Sequence, residues 1–202
     1  MNSGVVHVID DDAAMRDSLS FLLESADLTA KTYESAVAFL QHVRSLEHGC
    51  IVTDVRMPEM SGLELIQRLK TLGIELPIIV MTGHADVPLA IEAMKAGVHD
   101  FIEKPFDDEQ LLGAIRAALA QAEDQAQRSD EMAGIKSKLD SLSTREREVL
   151  QGLVAGQANK VIAYDLGISP RTVEIYRANV MTKMGAASLS ELVRMTLAAE
   201  RI

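Results

Sequence analysis

The sequence predicts an α/β domain with a parallel sheet covered on both faces, followed by an all-α domain of four helices. Three observations carry this reading. Short apolar runs rich in Val and Ile alternate with helically spaced segments five times in the front of the chain. Beyond residue 140 every periodic segment is helical. The charge divides at the same place: residues 1–124 hold 21 Asp and Glu against 9 Lys and Arg, and residues 125–202 hold 9 against 11. An acidic front and a mildly basic back suit two modules with different partners.

The elements follow in order. Val5–Ile9 is an apolar run, and Met15, Leu19, Leu22, Leu23 and Ala26 give Met15–Ala26 helical spacing. Ala30–Tyr33 is a weak strand. Val37, Leu40 and Val43 make Ala36–Leu46 a helix, Cys50–Thr53 is the third strand, and Leu63–Leu72 is a helix on Leu63, Leu65, Ile66 and Leu69. Pro77–Met81 is a strand, Asp86–Ala96 a helix and Phe101–Ile102 a very short strand. Asp107–Ala120 is a helix, opened by Asp107 and Gln110 at capping-box spacing. Residues 1–123 make the first domain. Residues 124–138 turn polar and charged and read as a partly helical linker. Residues 139–202 make the second domain. Ser143-Thr144-Arg145-Glu146 is a capping box before Val149, Leu150 and Leu153. Asn159–Leu166 is stopped by Gly167. Ser169 caps a helix that has Pro170 at its first position and runs to about Met184; Ser188 and Glu191 open the last helix.

Composition excludes several classes. Aromatics are 3 % with no Trp, so a base-stacking platform is not expected. One cysteine, Cys50, builds neither an internal disulfide nor a zinc cage, and suits a reducing cytoplasm. No apolar run approaches a membrane span, and no signal peptide is apparent. The expected location is cytoplasmic, with no membrane partner.

In a parallel sheet the carboxyl ends of the strands share one edge, where ligands bind. Asp10, Asp11 and Asp12 follow the first strand, Asp54 the third, Thr82 the fourth and Lys104 the fifth. An Asp triplet can simply cap the next helix, but the four strand ends together are more specific. Crowded carboxylates suit a hard divalent cation with oxygen ligands, Mg²⁺ (or Mn²⁺). A carboxylate can also attack phosphorus and form an aspartyl-phosphate, helped by a metal, a Lys and a hydroxyl. Asp54, flanked by apolar Val52 and Val55, is the candidate nucleophile. Asp10 and Asp11 are the metal pair, Lys104 the phosphate cation and Thr82 the hydroxyl donor. Cys50 reads as buried and inert, His7 as a tolerated strand residue, His84 as a loop residue, and Met57, Met60, Met81 and Met94 as packing.

Val8-Ile9-Asp10-Asp11-Asp12, Asp54–Gly62, Met81-Thr82-Gly83-His84 and Phe101–Phe106 resemble the signature blocks of two-component receiver domains, over roughly residues 4–123. The resemblance implies a flavodoxin-like, doubly wound sheet in strand order 2-1-3-4-5. It implies Asp54 as phosphoacceptor, Asp10, Asp11 and Asp54 as metal carboxylates with the main-chain carbonyl of Arg56, Thr82 and Phe101 as a switch pair, and Lys104 as phosphate partner. It also implies a cognate histidine kinase, and a dimer face including Val87, Ala90, Ile91, Lys95 and Asp100.

The second half holds two helices joined by a tight turn containing Gly167, a spacing that can place the second helix in a major groove. Val173, Val180 and Met184 mark its buried stripe, with Tyr176 at the edge. Arg171, Arg177 and Lys183 can meet phosphates. Glu174 can accept from a cytosine amino group, and Ile175 or Ala178 can touch a thymine methyl. Leu142–Leu150, Asn159–Ala163 and Ser169–Glu174 resemble the LuxR-type DNA-binding domain over about residues 138–200. Candidate DNA contacts are thus Asn159, Lys160, Arg171, Thr172, Glu174, Ile175, Arg177, Ala178 and Lys183. A receiver joined to this domain resembles the NarL/FixJ class of response regulators. That implies a phosphorylation-activated regulator that dimerises and binds double-stranded promoter DNA beside RNA polymerase. The FixJ branch of the class implies activation of nitrogen-fixation and microaerobic genes. No enzyme is expected beyond self-phosphorylation and autodephosphorylation at Asp54. A magnesium phosphohydrolase normally carries a second Asp two residues past its nucleophile, where this chain has Arg56. A phosphate sink or protein-binding adaptor is the other alternative.

Overall fold

The computed structural model describes residues 4–83 and 87–199, with the backbone alone at 87–90. The chain divides into two compact units at Ala126 and Gln127. In the first, strands β1 (Val5–Ile9), β2 (Thr29–Tyr33), β3 (Gly49–Asp54), β4 (Ile78–Gly83) and β5 (Asp100–Lys104) form one parallel sheet in the order 2-1-3-4-5. Between them run α1 (Ala13–Ser25), α2 (Ala36–Gln41), α3 (Gly62–Thr71) and α4 (Val87–Lys95), and α5 (Asp108–Asp140) follows.

Side chains alternate across a strand, and the two faces fill accordingly. Val6, Val8, Val52, Met81 and Ile102 pack with Leu19 and Leu23 of α1 and Leu111 and Ile115 of α5. Ile9, Ile51 and Val80 pack with Phe39 of α2, Leu65 and Leu69 of α3 and Ala93 of α4. Each such wholly buried Leu, Ile or Phe stabilises the unit by about 1.5–3 kcal/mol. Between two layers of helices the central strands are apolar on both sides, which is why they read as continuous runs.

Several boundaries differ from the sequence reading. The fifth strand is five residues, not two: Asp100 to Lys104 pair with Ile79 to Gly83 through their backbones, which a charged side chain at a strand end does not prevent. The second helix stops at Gln41 and gives way to a 3₁₀ turn at Val43–Ser45. The fifth helix does not end at Ala120. It continues to Asp140 and takes in the segment expected to be a linker. Gln, Glu, Ala and Arg favour helix even without an apolar face, and residues 127–131 are exposed on every side. Asp107 caps this helix by accepting the Glu109 N–H (2.9 Å) rather than at the capping-box position of Gln110. The expected start of α4 at Asp86 lies outside the described residues.

The second unit packs α6 (Thr144–Val154), α7 (Asn159–Leu166), α8 (Pro170–Met184) and α9 (Leu189–Ala199) around Val149, Leu153, Ile162, Val173, Val180, Met184 and Leu192. Ile135 and Leu139, from the end of α5, join this core. Ser143 and Glu146 form the capping box expected from their spacing. Among the described residues no helix is long and apolar enough to cross a membrane.

Candidate functional site

Asp10 directly follows β1, Asp54 ends β3 and Lys104 ends β5. All three continue the rows that face α1 and α5, because Asp10 is two residues beyond Val8, Asp54 two beyond Val52 and Lys104 two beyond Ile102. Their heads meet. The Lys104 ammonium donates to Asp10 Oδ2 (3.0 Å) and to Asp54 Oδ1 (2.5 Å). The remaining oxygens are held by backbone: Asp10 Oδ1 accepts the Asp12 N–H (2.9 Å), and Asp54 Oδ2 accepts the Arg56 N–H (2.7 Å). Asp10 is buried, and Asp54 and Lys104 are partly exposed at the rim.

One cation thus serves two carboxylates. Burial pushes the Asp54 carboxyl above its ordinary value; the bond and charge of Lys104 and the Arg56 N–H offset this only in part, and the Asp10 charge adds to the rise. Burial works against the Lys104 charge, yet the bonds and charges of Asp54 and Asp10 together outweigh it and hold the ammonium above its ordinary value. Lys104 therefore stays charged at neutral pH, and two carboxyl groups face its single ammonium.

Two carboxylates converging on one positive centre fit a hard divalent cation, since Mg²⁺ needs only one or two carboxylates among its oxygen ligands. The third expected carboxylate is not gathered with them. Asp11 is exposed, and among the described residues no three His, Cys, Asp or Glu side chains are close enough to hold a metal. Asp12 caps α1, accepting the Ala14 N–H. Thr82 and Phe101 lie on the other row, with Val80: Thr82 is buried with its hydroxyl 3.3 Å from the Gly83 carbonyl, and Phe101 is 42 % exposed. Direct hydrogen bonds join Asp10, Asp54 and Lys104, while Thr82 and Phe101 stand on the alternate row of β4 and β5.

Two features of the pocket lie outside the set expected from sequence. Gly62, at the start of α3, packs so closely on the Asp54 carbonyl that a Cβ there would collide with it. Arg16 of α1 donates to the Asp10 and Asp11 carbonyls (2.8 and 3.1 Å). A lone Gly and a lone Arg carry little signal in sequence, and the contacts that give them meaning are tertiary.

Of the expected dimer face, Ile91 and Lys95 are exposed and Asp100 is half-buried, its carboxylate accepting the Phe101 N–H. The side chains of Val87 and Ala90 lie outside the described residues, as does His84. Cys50 is buried and its thiol is pushed up to about 12 by burial, which leaves it inert. His7 is buried against the Tyr33 hydroxyl and the Glu47 carbonyl.

In the second unit Gly167 (φ 65°) ends α7 in the left-handed conformation, and Ser169 caps α8 on the Thr172 N–H. Val173, Val180 and Met184 are buried. Arg171, Glu174, Ile175, Ala178 and Lys160 are exposed, and Asn159, Thr172 and Arg177 half-buried. Lys183 has a partner within the unit. Its ammonium donates to the buried Glu146 carboxylate (2.7 Å), because one end of α8 packs over the start of α6. That bond, with the Ser143 N–H, holds the Glu146 carboxyl down at about 2.

The fold, the acidic pocket and the helix pair define a two-part signalling protein. A response regulator receiver domain matches residues 6–116, and a domain of the luxR family of bacterial regulatory proteins matches residues 140–196. The transcriptional regulatory protein FixJ of Azorhizobium caulinodans is 60 % identical over 194 residues, 96 % of this chain and 92 % of that one. The crystal structure of full-length FixJ from B. japonicum is 52 % identical and covers all of both chains with a TM-score of 0.62. The response regulator StyR is 40 % identical over 96 % of this chain and 98 % of that one, with a TM-score of 0.87. The chain belongs to the response-regulator family with a LuxR-type DNA-binding domain, and is a phosphorylation-dependent transcription regulator. A histidine kinase and DNA are the partners these two domains imply.

Proposed function

We propose that Asp54 accepts a phosphoryl group from a histidine kinase, and that the phosphorylated chain dimerises and activates transcription at promoter DNA. The observation that carries this reading is the Lys104 ammonium shared by Asp10 and Asp54 (3.0 and 2.5 Å), a half-buried anionic cluster one cation short of neutrality. An oxygen of Asp54 forms the new O–P bond as the N–P bond of the kinase phosphohistidine breaks, and the imidazole leaves with the bonding pair and takes up a proton. Lys104 moves its charge from the carboxylate to the phosphoryl oxygens. The Asp10 and Asp54 carboxylates and the Arg56 carbonyl would hold Mg²⁺ (or Mn²⁺), with the exposed Asp11 carboxylate joining them on metal binding, and the ion would neutralise charge on the transferring group. Thr82 supplies a hydroxyl donor to the phosphoryl group, and Phe101 follows it.

The output face is α4 with β5. Ile91, Met94 and Phe101 are exposed apolar side chains there, alongside Lys95 and Asp100. Burying them in a homodimer supports two copies of α8 reading half-sites about one helical turn apart. Lys160, Arg171 and Arg177 meet phosphates. Asn159, Thr172, Glu174, Ile175 and Ala178 face sugar or base edges. Lys183, paired with Glu146, contributes structure instead. By likeness to the FixJ proteins, the targets are nitrogen-fixation and microaerobic genes, activated with RNA polymerase in the cytoplasm.

The test is intact mass, solution mass and promoter-DNA binding, with Mg²⁺ and an acyl-phosphate donor, for wild type and Asp54→Asn. Wild type gains one phosphoryl group, doubles its solution mass and binds DNA more tightly; Asp54→Asn does none of these. Phosphorylation of Asp54→Asn, or a phosphorylated wild type that neither dimerises nor binds DNA, overturns the proposal.

A further inference from the structure

We propose that Arg16 is a positioning residue for the acidic loop, holding the backbone of Asp10, Asp11 and Asp12 so that the carboxylates face the cation site. This rests on the metal reading given above. Three consecutive carbonyls of the loop accept from this one residue. Its guanidinium Nη1 donates to the Asp10 carbonyl (2.8 Å) and to the Asp11 carbonyl (3.1 Å), and its backbone N–H donates to the Asp12 carbonyl (3.0 Å). The carboxylate of Asp10 meanwhile closes on the Asp12 N–H (2.9 Å) and on Lys104 (3.0 Å).

The loop leaves a β-strand and enters a helix within three residues; the Asp12 carbonyl takes the first backbone bond of α1, and the Asp10 and Asp11 carbonyls rely on the Arg16 guanidinium. Unpaired, they would be free to turn toward the Lys104 ammonium and compete with the carboxylates for it. Arg16 turns two of them away from it, since a guanidinium presents several donors in a fixed geometry. Its charge also lies against the loop and offsets repulsion among three adjacent carboxylates. Partners that orient a ligand without touching the metal are worth about 10- to 100-fold in metal affinity.

The test compares full-length wild type, Arg16→Met, Arg16→Lys and Leu28→Ala by two readouts. One is Mn²⁺ affinity, from the free-ion electron paramagnetic resonance signal. The other is hydrogen exchange of the Asp12 amide without metal. Leu28 is buried in the same core as α1 and makes no bond to the loop, so Leu28→Ala controls for lost stability. The expected result is at least about tenfold weaker Mn²⁺ binding and faster Asp12 exchange in Arg16→Met, substantial recovery of both in Arg16→Lys, and wild-type Mn²⁺ affinity in Leu28→Ala. Wild-type Mn²⁺ affinity in Arg16→Met overturns the inference, whatever its amide does. So does an equal loss of affinity in Leu28→Ala. Wild type that takes up no Mn²⁺ is a different result: it overturns the metal reading, and the inference with it.

Discussion

The Lys104–Asp10–Asp54 cluster and the Lys183–Glu146 pair use the same chemical groups at similar distances, 2.5–3.0 Å in the first and 2.7 Å in the second. Their electrostatics run in opposite directions. Glu146 has its own cation and the N–H of its capping box, and its carboxyl is held down at about 2. Asp54 is raised by burial above all, and the cation that would offset this is shared with Asp10, whose charge adds to the rise. A lysine–carboxylate pair in a fold is therefore not by itself a functional mark. The informative quantity is the charge left over: a matched pair is scaffold, and a cluster short of one cation is a place for a ligand.

The substitution with the largest expected effect tests both halves of this contrast. Asp54→Asn takes up no phosphoryl group from an acyl-phosphate donor, by intact mass, yet melts above wild type by calorimetry. The sign follows from the raised carboxyl: the charged form is disfavoured in the folded state, so neutralising it stabilises. Glu146→Gln does the reverse and lowers the melting temperature. Lys104→Met leaves two carboxylates without their cation, and slows phosphoryl uptake by about 100- to 1,000-fold. Equal melting shifts of one sign in Asp54→Asn and Glu146→Gln would break the comparison.

The pH dependence sharpens it. A carboxyl lowered in the fold contributes stability that is complete above its unfolded value of 4.5 and is lost as pH falls toward about 2. The raised Asp54 carboxyl works against this: its penalty is present above its folded value and is relieved as pH falls. The protection factors of α6 and α8 amides, observed exchange referred to the intrinsic rate at each pH, should therefore fall on acidification through this window, and Glu146→Gln should remove much of that fall.

The same contrast separates the cations of the second unit. Arg171→Met and Lys160→Met should leave melting unchanged, weaken DNA binding and each lower the salt dependence of log affinity by about one. Lys183→Met should lower the melting temperature, because it strands the Glu146 carboxylate. A titration of each variant at several salt concentrations, beside a melt, distinguishes the two roles. Lys183→Met that melts like wild type and changes only the salt slope would return Lys183 to the DNA contacts.

Sequence reading finds what repeats or recurs at fixed spacing. The alternation of Val8 with Asp10 and Val52 with Asp54 puts those carboxylates on one sheet edge, and Ser143 with Glu146 announces a helix start. It finds less where meaning arises across the fold. Lys183 looks like a recognition-helix cation until α6 brings Glu146, 37 residues away in sequence, against it. Arg16 is an unremarked helix residue until its guanidinium is seen over the loop carbonyls. Residues 124–138 read as a linker because they lack a continuous apolar stripe, whereas the backbone stays helical on intrinsic propensity through the exposed stretch 127–131 until Ile135 and Leu139 pack into the second unit's core. Asp11 shows the converse: a motif groups it with Asp10, and the structure leaves it exposed.

Two glycines give the smallest test of the same distinction between a residue that serves the pocket and one that only fills a chain position. A Cβ at Gly62 would strike the Asp54 carbonyl, so Gly62→Ala must shift either the start of α3 or Asp54. It should cost about 1–3 kcal/mol and slow phosphoryl uptake with it. Gly134 lies within α5, and a Cβ there meets nothing within 4 Å. Gly134→Ala removes backbone entropy from the unfolded chain without a clash, and should stabilise the helix by about 0.5–1 kcal/mol while leaving phosphoryl uptake unchanged. Denaturant melts and acyl-phosphate kinetics on the two variants check both. Should Gly134→Ala slow uptake as Gly62→Ala does, the effect on Asp54 would not be one of local contact, and the close approach of Gly62 would lose its explanatory role.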